Sequence, residues 1–139
     1  ITFFVPDSDN PIMTSFISGE IKAGFPSPAA DFEELKLSLD HLLIKNREAT
    51  FYAKASGNSM TEAGIDDGDI MVIDRSLEPR NNAIAVCLID GEFTVKRIKK
   101  DGEELYLIPE NSQYKPIKVE EENELIIWGI VTYVIKKMK

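Results

Sequence analysis

Cysteine is nearly absent from this sequence of 139 residues, and that scarcity excludes one kind of stability at once. The lone Cys87 leaves no internal disulfide possible. It lies within Ile84-Ala85-Val86-Cys87-Leu88-Ile89, where a buried packing thiol is the natural reading. Such usage fits a reducing compartment. Long apolar runs are missing too: none approaches the ~20 residues that span a bilayer as a helix, so a membrane-embedded body is not expected. The opening Ile1-Thr2-Phe3-Phe4-Val5-Pro6-Asp7 has no basic region and only a short apolar stretch, which argues against a signal peptide. Positive charge is in deficit, with 16 Lys and Arg against 24 Asp and Glu and a net charge of −8. That balance disfavours broad binding to a phosphate backbone, which needs clustered cations. The local basic stretches Lys96-Arg97-Ile98-Lys99-Lys100 and Lys136-Lys137-Met138-Lys139 read as solvated strand ends and a tail. Any link to nucleic acid is expected to run through a protein partner, with no direct specific contact.

What the sequence does hold is the composition of an ordinary globular domain, 43% hydrophobic and 29% charged, with room for one real core. Residues 1 to about 30 differ from the rest. Pro6, Pro11, Pro26 and Pro28 punctuate them, and residues before proline are pushed toward extended geometry. We read 1–30 as an extended N-terminal arm and 31–139 as the folded domain. A short helix is expected around Asp40-His41-Leu42-Leu43-Ile44-Lys45. From Thr50 onward the pattern is β: Thr50 to Ala55, Asp69 to Asp74, Ile84 to Ile89, Glu92 to Ile98, Leu105 to Ile108 and Leu125 to Ile135. Asp90-Gly91 between two such runs signals a hairpin, and Gly129 a bulge or bend. The fold class is therefore mostly β, a small barrel-like or sandwich body. The C-terminal run, with Trp128, Ile130 and Val134, serves either as core or in part as an isologous dimer interface.

One turn invites chemistry. Ala55-Ser56-Gly57-Asn58-Ser59-Met60 follows a strand, and Gly57 and Asn58 both tolerate unusual backbone angles, so Ser59 can be presented on a tight turn. A serine needs a base to act as a nucleophile. The single histidine, His41 beside Asp40, allows a Ser-His-Asp arrangement, although its surroundings suggest a surface residue. A lysine can serve only when neutral, which requires burial to lower its pKa from ~10.4. Lys96 follows Phe93-Thr94-Val95 and shares a strand face with Thr94 and Ile98, a setting in which burial is plausible. A strand lysine more often snorkels to solvent, so on these residues alone both bases stay open. The acidic run Asp66-Asp67-Gly68-Asp69 lacks the spacing of a calcium loop and reads as a turn, and Glu120-Glu121-Glu122 as an exposed charge run. No zinc or phosphate-loop spacing occurs, and neither metal nor cofactor is expected.

Four stretches together carry a resemblance: Ala23-Gly24-Phe25-Pro26-Ser27-Pro28-Ala29-Ala30-Asp31, Lys54-Ala55-Ser56-Gly57-Asn58-Ser59-Met60, Gly68-Asp69, and Asp90-Gly91-Glu92-Phe93-Thr94-Val95-Lys96. In order and in spacing they resemble the LexA/UmuD family of autoproteases, peptidase S24, of the bacterial SOS response. The resemblance implies a LexA-type serine protease domain over 31–139 that also dimerises, and an arm over 1–30 that holds the cleavage site. It implies Ser59 as nucleophile, Lys96 as its base and Ala23–Gly24 as the bond cut. UmuD proteins have cysteine where this chain has Ala23, whereas LexA-type members use Ala-Gly, so the departure is conservative for the chemistry. Backbone N–H groups of Asn58 and Ser59 are the natural oxyanion donors, and hydroxyls such as Thr94 or Ser56 are suited to hold Lys96. The family further implies a homodimer in the bacterial cytoplasm, cleavage stimulated by the RecA–single-stranded DNA filament, and a trimmed form that joins a UmuC-type translesion polymerase. Alternatives are a non-enzymatic polymerase accessory subunit and the C-terminal domain of a LexA-like repressor. A helix-turn-helix for the latter is not found in the arm, and a signal peptidase would call for a membrane anchor.

Overall fold

A computed structural model describes residues 3–7, 10–17, 24 and 34–139. These fall into two compact units, one of residues 3–6 with Asn46–Lys139, the other of residues 7–45. The larger unit is a single antiparallel sheet of eight strands in the order β1-β4-β5-β10-β6-β7-β8-β9. Its members are β1 (Phe3–Phe4), β4 (Thr50–Lys54), β5 (Ile70–Asp74), β6 (Ile84–Ile89), β7 (Glu92–Asp101), β8 (Glu104–Ile108), β9 (Ile117–Val119) and β10 (Leu125–Ile135). The smaller unit pairs β2 (Met13–Ile17) with β3 (Glu34–Ser38), and β3 leads into the short helix α1 (Leu39–Leu43). The fold is thus mostly β, as the alternation in the sequence implies. Of the described residues in 1–30, Phe3–Phe4 and Met13–Ile17 are strands and Gly24 lies at a bend; the expected boundary at residue 30 lies outside the described residues.

The hairpin at Asp90-Gly91 sets the register on which the site depends. Both residues take positive φ, 48° and 83°, as a two-residue turn of matching twist requires. From it the pairs run Ile89↔Glu92, Cys87↔Thr94 and Ala85↔Lys96. Ala85 is fully buried, so this register sets Lys96 opposite a covered position of β6.

Two apolar clusters fill the unit. One gathers Ala53, Ala55, Met60, Ile65, Met71, Ile73 and Val86; the other gathers Ala85, Cys87, Ile98, Leu107 and Ile130. Alternate residues of β6 divide between them, as the pleat demands. In β10 the alternation breaks and is restored: Leu125, Ile127 and Ile130 belong to one cluster, Trp128, Val131 and Val134 to the other. The register shifts between Ile127 and Gly129, and again between Val131 and Tyr133, account for both skips. Gly129 is fixed by contact as well, because a Cβ there would stand 2.6 Å from Ile73 Cγ2. Fully buried side chains such as Met71, Ile73, Ile98 and Leu107 each contribute about 1.5–3 kcal/mol. The exposed pair Lys118–Glu104 is screened by solvent, so apolar burial carries the fold. Trp128, Ile130 and Val134 all pack within the chain; the large apolar β10 side chains that are exposed are Ile126, Tyr133 and Ile135.

Candidate active site

The loop after β4 is stitched down before it reaches Ser59. Ala55 N–H donates to Asp69 O and Gly68 N–H donates to Ala55 O, both at 2.8 Å. Gly57 N–H donates to Asp67 Oδ1 at 2.8 Å, with Gly57 at φ 86°. The acidic run 66–69 is therefore the turn that holds this loop. Beyond the loop, Met60 is buried and a 3-10 turn, Thr61–Ala63, fixes the exit. Ser59 is left between two pinned ends.

Lys96 reaches Ser59 from β7. Its Nζ lies 3.2 Å from Ser59 Oγ, 2.6 Å from Thr94 Oγ1 and 3.0 Å from Val95 O. Only 8% of the residue is exposed. Burial lowers the Lys96 pKa from its ordinary value, opposed by the neighbouring Cys87 sulfur. Burial in turn pushes the Cys87 thiol up to about 11, against the pull of Lys96, so Cys87 is a neutral neighbour at physiological pH. The three contacts suit a neutral amine. Two N–H groups satisfy Thr94 Oγ1 and Val95 O, which leaves the lone pair for the Ser59 hydroxyl proton. This is an arrangement able to take a proton from serine.

The Asn58–Ser59 peptide is oriented from its carbonyl side. Asn58 O accepts from Asn111 Nδ2 at 2.6 Å, from Thr61 Oγ1 at 3.2 Å and from Thr61 N–H at 3.4 Å. Tyr114 Oη donates to Asn58 Oδ1 at 2.6 Å and holds the side chain. In a trans peptide the N–H points opposite to its carbonyl. The Ser59 N–H is thus directed away from these donors, and among the described residues neither it nor the Asn58 N–H is bonded. Both remain available to a developing oxyanion.

Two clefts flank Ser59. The smaller, about 160 Å³, is lined by Ala55, Ser56, Met60, Ile65, Phe93 and Val95 among others; the larger, about 460 Å³, by Asn58, Phe93, Lys96, Tyr114 and Ile117 among others. Ser56 lines the small cleft, while Thr94 is the hydroxyl that holds Lys96. Of the other residues singled out in the sequence, His41 is exposed and sits with Asp40 on α1 in the smaller unit. Gly24 is exposed at a bend, and Ala23 lies outside the described residues. Asn111 and Tyr114 had no signal in the sequence, since they meet Asn58 across 53 and 56 positions. The Cys87–Lys96 proximity was readable, because a two-residue turn at 90–91 fixes the pairing.

A family model described as peptidase S24-like matches residues 15–132. The chain belongs to the peptidase S24 family. Three relatives agree with that placement. Protein ImpA of Salmonella typhimurium is 36% identical over 135 residues, covering 96% of this chain and 91% of that protein. Protein SamA of Salmonella typhimurium strain LT2 is 43% identical over 117 residues, 84% of this chain and 81% of its own length. Protein MucA, from Escherichia coli, is 39% identical over 119 residues, 85% and 81% of the two chains. Within peptidase S24 the chain is a UmuD-type member of the LexA/UmuD class, a class of SOS mutagenesis proteins and serine autoproteases. No described helix is long and apolar enough to cross a membrane.

Proposed function

We propose that this S24 protein is a serine endopeptidase that acts on itself, with Ser59 as nucleophile, Lys96 as general base and Ala23–Gly24 as the bond cut. The observation that carries the reading is the 3.2 Å contact between Ser59 Oγ and a lysine amine that is buried and otherwise hydrogen-bonded. Neutral Lys96 takes the Ser59 proton as Oγ attacks the Ala23 carbonyl carbon. The oxyanion forms against the Ser59 and Asn58 N–H groups. Collapse breaks the bond to Gly24 nitrogen, which receives the proton from Lys96. Water then enters by the same base and frees Ser59 from the Ala23 acyl group. The small cleft beside Ser59 suits a methyl side chain, and a glycine on the leaving side adds no Cβ.

The UmuD-type membership supports a wider setting: a homodimer in the bacterial cytoplasm, cleavage promoted by a RecA–single-stranded DNA filament, and a trimmed product that joins a UmuC-type translesion polymerase. Incubation of the purified chain with and without that filament, followed by intact mass and N-terminal sequencing, tests the reading. A product beginning at Gly24 is expected, lost in Ser59→Ala and in Lys96→Ala and retained in His41→Ala. A different start refutes the site, and an inactive His41→Ala protein returns the base to histidine. An accessory subunit without peptidase activity would show one unchanged mass throughout.

A further inference from the structure

Cutting a bond does not by itself separate the pieces it joined. Strands on the N-terminal side of Ala23–Gly24 find their partners on the C-terminal side, once in each unit. In the larger unit β1 lies along β4, with Phe3 opposite Ala53 and Phe4 opposite Tyr52. In the smaller unit all five residues of β2 pair with β3, from Met13↔Ser38 to Ile17↔Glu34. Phe3 also has a seat of its own. Its ring centre lies 4.3 Å from Trp128 and 5.0 Å from Phe93, and Phe51 meets the same Trp128 edge-to-face at 5.1 Å.

We propose that the segment 1–23 stays bound after the Ala23–Gly24 bond is cut, and that its later departure opens a strand-addition site at the β4 edge with an aromatic socket for Phe3. The inference rests on the cleavage reading above for its biological setting. A two-residue strand or a lone strand pair is weak in water. The two strands belong to one covalent segment, so that segment departs only when both pairings are lost. The natural occupant of the site is this chain's own Phe3-Phe4 pair, which the structure seats there. Once empty, the site is an unpaired edge beside half-buried aromatic rings, the form that accepts an extended aromatic peptide by main-chain pairing. Phe93 ties the event to the active site, since it lines both clefts beside Ser59. Cleavage and release are then two steps, and only the second exposes new surface.

The test uses the full chain carrying Ser59→Ala and a site-specific protease sequence in place of residues 18–23, cut by the added protease. Gel filtration at micromolar concentration with mass analysis of each peak then reads retention, and hydrogen exchange of the 50–54 peptide reads the β4 edge. Co-elution of both pieces with β4 protected is expected. Phe3→Ala on the same background is expected to weaken retention about 10-fold, as loss of one half-buried aromatic side chain implies. Immediate separation of the wild-type pieces overturns the proposal. So does retention that ignores Phe3→Ala, or a β4 edge protected by a second copy after the segment has gone. Because the cut is made by another protease in a Ser59→Ala chain, this result stands apart from whether the protein cuts itself.

Discussion

Replacing Thr94 by valine removes one oxygen and keeps a β-branched side chain in the same strand. That oxygen, at 2.6 Å, is the nearest acceptor to Lys96 Nζ. In the charged state its loss deprives an ammonium of a hydrogen bond, which costs about 1.5–3 kcal/mol, while for a neutral amine the loss is about 1 kcal/mol. The charged form suffers more, so the Lys96 pKa falls further in the direction burial already drives it. The pH midpoint of self-cleavage moves down with it. The plateau rate falls as well, because the freed N–H competes with the lone pair for the direction of Ser59, and losing ~1 kcal/mol of positioning corresponds to about fivefold. Two opposite effects on one pH profile make the prediction sharp: more activity relative to plateau at low pH, a lower plateau at high pH. Intact-mass time courses from neutral to alkaline pH measure both, and Thr94→Ser is expected to restore them. An unmoved midpoint with an unmoved plateau refutes the role of Thr94. A midpoint that rises refutes the electrostatic reasoning.

Other changes report on parts of the same frame. Burial holds the Lys96 pKa below 10.5, so between the folded and unfolded values the unfolded chain binds more protons and wild-type stability rises with pH. Lys96→Met is therefore expected to be the more stable protein near neutrality, with the gap closing as pH climbs through that window; a gap that widens on the alkaline side contradicts it. Gly129→Ala brings a Cβ to 2.6 Å from Ile73 Cγ2 and is expected to lower the urea midpoint by the equivalent of about 1–3 kcal/mol; an unchanged midpoint means β10 can shift at that bulge. Burial works against the charge of Asp69, but its bonds to Lys136 and to the Asp66 N–H prevail and lower its pKa below 3.8. The stability this supplies is present above the usual carboxylate range and is lost as pH falls through the folded value. Melting of Asp69→Asn is thus expected below wild type at neutral pH, with the difference shrinking on strong acidification; a difference constant with pH refutes the linkage.

The strands legible in the sequence were those whose alternation is reinforced by turn residues. Ile84 to Ile89 and Leu125 to Ile135 appear with the bounds that their apolar patterns suggest. Those that escaped owe their pairing to tertiary context. Phe3–Phe4 and Ile117–Val119 are too short to show a period, and Glu34–Ser38 ends directly at the helix read nearby, with Leu35 left largely exposed. Ser59 and Lys96 were found through a family likeness, since neither the loop nor the strand alone specifies a base. The hairpin register then pairs Lys96 with the fully buried Ala85, on the covered part of the strand. Asn111 and Tyr114 could not be found by spacing, because they reach Asn58 only after the chain has passed through β8 and turned back.

Trp128 is the only tryptophan in the chain, and it stands where the N-terminal strand meets the body, with Phe3, Phe51 and Phe93 around it and the Arg75 guanidinium 4.3 Å above its ring. A sole indole in that place makes the protein its own optical probe. Removal of the Phe3 ring wets one face of the fluorophore, and wetting shifts indole emission to longer wavelength. The seating of a two-residue strand thereby becomes visible in an unlabelled solution, in real time and without separating the pieces.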